Sequence, residues 1–169
     1  MSLFIYITLQ LSVIAYALVG GVFLAFSDFI MRSLAHTGGI GGADAMQVIN
    51  REVFRWVFMT LFIGMAPISL VIAGYGWFVV GSGPGTLIAI AGLIYVIGCF
   101  GVTVFFNVPM NEALARMDVS SSTARDYWTG TYLPRWTFWN SIRTVASTVS
   151  AALLLVGLLW LTQSDARIA

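Results

Sequence analysis

Asn107 and Asn111 are four residues apart, so on a helix their carboxamides stack on one face, with Thr103 one turn earlier. Pro109 lies between them and cannot donate to the helical ladder, so the helix is kinked or loosened there. A second set begins at Trp136. Trp136, Asn140, Arg143 and Ser147 fall on one narrow helical face, while Phe138, Ile142 and Val145 cover the opposite one. Asn50 sits among Met46, Ile49, Val53 and Val57 on the apolar side of its helix, and Ser27 with Asp28 closes an apolar run at the same depth. Carboxamides carry both donors and acceptors, and a guanidinium carries five donors around a fixed charge. At the mouth of an apolar segment such a charge is costly unless it is paired or faces a polar cavity. Two readings follow for the cluster: a hydrogen-bonded plug that fixes helix register, or a ligand site. Three inward asparagines plus an arginine favour the ligand site.

Other chemistry-bearing residues are weaker candidates. His36 is the only histidine and lies in a glycine-rich stretch, His36–Gly42, with no preceding strand that would make it a nucleotide loop. With Cys99 remote in an apolar segment, no metal site is expected, since zinc takes three or four N, S or O ligands. A lone cysteine forms no internal disulfide and packs as a small apolar residue. Gln10, inside an apolar run, reads as an interhelical hydrogen bond, and Tyr127, Trp128, Tyr132 and Trp136 suit an interfacial aromatic belt. A net charge of +1, with arginines scattered among acids, argues against a nucleic-acid partner.

The elements that must position this cluster are membrane helices. Hydrophobic residues make up 59% of the 169 and charged ones only 9%, against about 25% in soluble domains. Four runs, Leu3–Phe26, Val57–Val80, Thr86–Phe106 and Val145–Leu161, contain no Asp, Glu, Arg or Lys and are long enough to cross a bilayer. The expectation is an all-α, single-domain, integral membrane four-helix bundle, with interfacial helical extensions in its two long connections. The first span lacks a positive leader and reads as retained rather than as a signal peptide. Gly81–Gly85 makes a tight turn, whereas Ser27–Trp56 and Asn107–Thr144 are long and share one side. In Ala43–Trp56, Met46, Ile49, Val53 and Trp56 recur at helical spacing opposite Gln47, Arg51 and Arg55, which predicts an interfacial helix running straight into the second span. Asn107–Met117 continues the third helix, Val119–Thr123 breaks the chain, and Pro134 starts the fourth helix. Pro67 kinks the second helix, and Gly20, Gly21, Gly64, Ala73, Gly98 and Gly101 let helices approach closely. The long connections hold Arg32, Arg51, Arg55, Arg116, Arg125, Arg135 and Arg143, so the positive-inside rule places them in the cytoplasm and both termini outside.

Phe26-Ser27, Met46 through Arg51, Phe106-Asn107-Val108-Pro109-Met110-Asn111, and Arg135-Trp136 through Trp139-Asn140 to Arg143-Thr144 together resemble the anthrone oxygenase-like family, small four-helix membrane proteins long known as a domain of unknown function. The resemblance covers almost the whole chain and implies the same fold, with a bacterial inner membrane as the expected location. Some fungal members are linked to oxidation of anthrones to anthraquinones, while most bacterial members have no assigned activity. For this chain the resemblance implies a cofactor-independent oxygenase acting on a flat, hydrophobic, anthrone- or quinol-like molecule. Arg143, Asn107, Asn111 and Asn140 would hold the developing oxyanion. Trp136 or Trp139 would stack on the ring, beside Asn50 and Ser27. Asp28 is the best-placed base, with His36 or Glu112 behind it. The alternative is a non-catalytic lipid or quinone binder, or an accessory subunit of a membrane complex. A transporter ranks third, because four spans need a second copy to form a pathway. The expected partners are therefore a hydrophobic small molecule, membrane lipids and a homo-oligomer.

Overall fold

The computed structural model describes residues 2–38, 40–55 and 57–166, and among them every regular element is helical. The helices are α1 (Leu3–Ala35), α2 (Gly41–Glu52), α3 (Val57–Val80), α4 (Ser82–Ala115) and α5 (Ser122–Gln163). All but α2 are long and apolar enough to span a bilayer, so the chain forms a helical membrane bundle. Helices suit these sequences because each satisfies its own backbone polar groups where no water can. The outward faces carry exposed Leu11, Leu18, Val71, Phe78, Ile97 and Val156, as lipid contact requires. The inward faces form a core around Tyr16, Phe62, Ile88, Tyr95 and Leu154.

Small residues set how closely the helices cross. A Cβ at Gly92 of α4 would fall on the Ser69 carbonyl of α3, and one at Gly98 would lie 2.8 Å from Ala146 Cβ on α5. Gly20 meets Ser147 in the same way, whereas Gly21 and Gly64 face open space and play no such part. The turn expected over Gly81–Gly85 contracts to Gly81, whose φ of 60° suits glycine, and α4 begins at Ser82. Gln10, expected to bond between helices, is exposed.

Toward the polar end the helices overrun their apolar spans, and three expectations change there. First, α5 starts at Ser122 rather than at Pro134. Pro134 follows directly on a π-helical turn, Trp128–Tyr132, whose shifted ladder does without the proline N–H. Pro109 likewise follows a π turn, Thr103–Asn107, which is the loosening its position demands. Second, α2 does not run straight into α3. It ends at Glu52, and a non-helical turn over Val53–Arg55 intervenes; Trp56 lies outside the described residues. Third, Gln47 is not on a solvated stripe. Its amide donates to Leu114 O at 2.8 Å and Met117 O at 3.0 Å, which adds side-chain donors to carbonyls at the end of α4.

The break before α5 begins earlier than expected. Asp118 accepts from Ser120 N at 3.0 Å and Ser120 Oγ at 2.7 Å, and Ser121 caps α5 through Ala124 N. Those two bonds from Ser120 hold the Asp118 carboxyl below its ordinary value of 3.8. Beside this connection a second core forms from Met31, Ala43, Met46, Leu114, Trp128, Tyr132 and Trp136. It joins α2 to the ends of the three spanning helices α1, α4 and α5.

Candidate functional site

Between the two cores lies a small cavity with one charged residue in its wall. Arg143 is only 4% exposed. Its Nη2 donates to Asn140 Oδ1 at 2.6 Å and its Nη1 to Thr103 Oγ1 at 3.2 Å, while its Nε has no protein partner. The guanidinium carbon lies 4.1 Å from the centre of the Phe23 ring and 5.1 Å from that of Trp136. The two rings add cation–π attraction to a charge removed from water. Among the described residues no carboxylate pairs with it: the ion pairs there are Arg55–Glu52 and Arg116–Glu112, both at the surface.

The neighbouring asparagines aim this group. Asn140 is fully buried and directs Nδ2 at Phe23 O and Ser27 Oγ, each at 2.6 Å, so its oxygen must face Arg143. Phe23 O is reachable because α1 widens into a π turn at Phe26–Ile30 and loosens the carbonyls just before it. Ser141 Oγ tightens the same joint at 3.0 Å from Ser27 Oγ. Asn107, also fully buried, donates to Trp136 O at 3.3 Å and leaves Oδ1 without a protein partner. Asn111 Oδ1 accepts from both Tyr132 OH and Trp136 Nε1 at 2.7 Å, which points its Nδ2 away from that pair. Asn50 Nδ2 donates to Tyr132 OH at 3.2 Å.

Three layers separate the residues that sequence grouped together. Arg143, Asn111, Trp136 and Asn50 line the cavity. Asn107, Asn140 and Ser27 stand behind it and hold the lining in place. Asp28 and Trp139 lie outside. The Asp28 side chain is exposed, and Trp139 stacks on Phe106 at the outer surface with ring centres 3.6 Å apart. A helical face is narrow, so one step around it takes Trp139 from the wall that Trp136 occupies to the lipid side. The fallback bases are also remote. His36 is exposed and bonds Arg32 O, and Glu112 pairs with Arg116.

Tyr132 is the residue that sequence reading undervalued. It is fully buried, stacks between Trp128 and Trp136, and joins Asn50 to Asn111. The signal was present, since Trp128, Tyr132, Trp136 and Asn140 recur every fourth residue. Thr103 and the aromatic wall of Phe23, Phe26, Phe54, Phe58 and Phe62 complete the cavity.

The cavity volume is about 70 Å³. That admits several waters, each needing roughly 10–15 Å³, but ligand pockets usually offer about 300 Å³ or more. A polycyclic ligand therefore needs a wall to move. Phe54 is 67% exposed, sits on the non-helical turn between α2 and α3, and with Asn50, Val108 and Asn111 lines both the cavity and an outer groove between α2 and α4. It is the wall with the fewest constraints.

Among the described residues no three His, Cys, Asp or Glu side chains converge as a metal site would require. Comparison with curated proteins and with solved structures gave no match. The family model described as anthrone oxygenase matches residues 56–153, which takes in α3, α4 and the cavity-bearing part of α5 with Thr103, Asn111, Tyr132, Trp136 and Arg143. A match over more than half of the chain, on the helices that build this site, makes the protein a member of the anthrone oxygenase family.

Proposed function

We propose that this protein oxidises a flat, reduced, phenolic substrate of the anthrone type with molecular oxygen, in the cavity beside Arg143. The observation that carries the reading is a buried guanidinium facing an aromatic cavity without a carboxylate partner. Membership of the anthrone oxygenase family supports the reaction class.

The chemistry balances without a further reductant. Loss of a proton from the methylene opposite the carbonyl gives a delocalised enolate. Its carbon forms a bond to dioxygen, the hydroperoxide takes up a proton, and loss of water leaves the quinone carbonyl. Anthrone plus O2 gives anthraquinone plus H2O, with four electrons passed from the methylene carbon to oxygen. The enolate oxygen carries the charge in the first step, and Arg143 offers Nε to it. Asn111 Nδ2, with no protein partner among the described residues, provides a second donor at the wall. Asn140 and Thr103 fix the guanidinium so that little reorganisation accompanies its pairing with the enolate charge. Trp136 and the phenylalanines sandwich the rings and exclude water. Substrate enters past Phe54 from the bilayer interface, and the arginine-rich connections put that entrance on the cytoplasmic side.

One observation favours a second reading. Among the described residues no Asp, Glu or His lines the cavity, so a quinone or lipid could bind there without turnover. The two readings part in one assay. The protein in lipid nanodiscs is given 1,8-dihydroxyanthrone, and oxygen uptake is followed with quinone absorbance. The oxygenase consumes one O2 per quinone at a rate above autoxidation, and Arg143→Gln abolishes the excess. Binding with no excess uptake establishes the non-catalytic binder.

A further inference from the structure

We infer that the cavity receives its substrate already ionised, as a phenolate or enolate, with Arg143 as its counter-charge and no protein side chain acting as base. The inference rests on the reading of this cavity as the substrate site, and it answers the question that reading leaves open.

Charge accounting is the first argument. A buried ion is tolerated when an opposite charge and hydrogen bonds replace the water it gave up. Arg143 receives two neutral acceptors and two ring faces, keeps Nε unfilled, and has no carboxylate within ion-pair distance. The missing component is one negative charge located in the cavity. A neutral ligand leaves the guanidinium uncompensated, whereas an oxyanion completes the set.

The second argument is where the proton acceptors stand. Asp28 is exposed, His36 is exposed and occupied by the Arg32 carbonyl, and Glu112 is paired with Arg116 at the surface. None lines the cavity, in whose wall Arg143 is the only charged residue among the described ones. A base is dispensable if the proton leaves before the molecule enters. Reduced polycyclic phenols and their keto tautomers share one delocalised anion, and water at the membrane surface accepts that proton. Inside, a cation within about 4–6 Å favours the anionic form by roughly 1–3 pH units.

The lining selects an aromatic anion. Phe23, Phe26, Phe54, Phe58, Phe62 and Trp136 place six aromatic rings around a single charge, a poor match for a flexible fatty-acid chain and a good one for fused rings.

The test is a visible-absorbance titration of 2-hydroxyanthraquinone, whose colour changes on ionisation, bound to the protein in neutral-lipid nanodiscs. The expected result is ionisation of the bound probe about 1–3 pH units below that of the probe in empty nanodiscs. Arg143→Gln removes the downshift, and Arg143→Lys retains part of it. An unshifted probe on the wild-type protein overturns the proposal without recourse to any variant. So does displacement of the probe by oleate at equal concentration, which assigns the site to a lipid carboxylate. Loss of turnover in Asp28→Asn, His36→Gln or Glu112→Gln would install a protein base and overturn it as well. The titration needs neither oxygen nor turnover. A downshifted probe on a protein that consumes no oxygen therefore supports the anion site while refuting the oxygenase.

Discussion

The middle of the bundle and its polar end both bury polar groups, but they dispose of them differently. In the middle, Tyr16 OH donates to Ser69 Oγ at 2.6 Å, Tyr95 OH donates to Phe62 O at 3.1 Å, and Ser147 Oγ donates to Cys99 Sγ at 3.1 Å. These are neutral pairs between helices, and they fix register. At the polar end, an Arg143 nitrogen and an Asn107 oxygen stay without protein partners although buried. The middle is not perfect, since Ser150 Oγ also lacks a partner, but a lone hydroxyl costs far less than an unbalanced charge. One region pairs most of its polar groups within the protein, and the other leaves a charged donor and an amide acceptor open.

The sharpest way to break this comparison is to make Arg143 apolar. Arg143→Met should cut turnover about 10²–10³-fold, the usual effect of removing one preorganised oxyanion donor. Because an uncompensated buried charge adds little to stability, the thermal midpoint should hold or rise. A midpoint that falls as activity falls would make Arg143 a structural residue like those of the middle.

The reverse pattern is expected at Gly92. Gly92→Ala drives a methyl into the Ser69 carbonyl and should cost about 1–3 kcal/mol, read from unfolding in detergent. Activity per folded molecule should be unchanged, because α3 and α4 cross there well away from the cavity.

Two tyrosines refine the contrast. Tyr16→Phe loses one interhelical bond, about 1 kcal/mol of stability, and leaves KM alone. Tyr132→Phe should lose a similar amount of stability and also raise KM several-fold, since the hydroxyl joins Asn50 to Asn111 and so holds Trp136. Equal KM values for the two variants would remove the distinction between regions.

The smallest effect concerns pH at the α4–α5 connection. Asp118 is held below 3.8 in the fold by its two bonds from Ser120, so its contribution is present above that value and fades as pH falls through the depressed one. The protection of Ser120 N from hydrogen exchange, relative to the intrinsic rate at each pH, should fall on that acid side, and Asp118→Asn should flatten the dependence.

Much of the fold was legible because lipid imposes a strong rule: uncharged runs of this length must be helices. The faces of α5 were legible too. Phe138 and Val145 are exposed while Asn140, Arg143 and Ser147 are buried, as a 3.6-residue period requires. The boundaries were less so. Hydropathy ends where charge begins, but α1, α4 and α5 continue past that point because α2 and the second core cover them.

By itself, then, the sequence determined four spanning helices, a polar end, and which face of each helix carries asparagine, tryptophan and Arg143. Periodicity along one helix is local information and survives translation to three dimensions. Only the tertiary structure decided the rest. π turns at Phe26–Ile30, Thr103–Asn107 and Trp128–Tyr132 rotate neighbouring side chains by amounts that no regular period predicts. Asp28 is exposed, Trp139 stacks on Phe106 away from the cavity, Asn107 and Asn140 stand behind the wall, and Tyr132 braces Asn111 from behind it. Whether a charge is compensated depends on what other helices place beside it, and Arg143 is left facing an aromatic cavity with no acid.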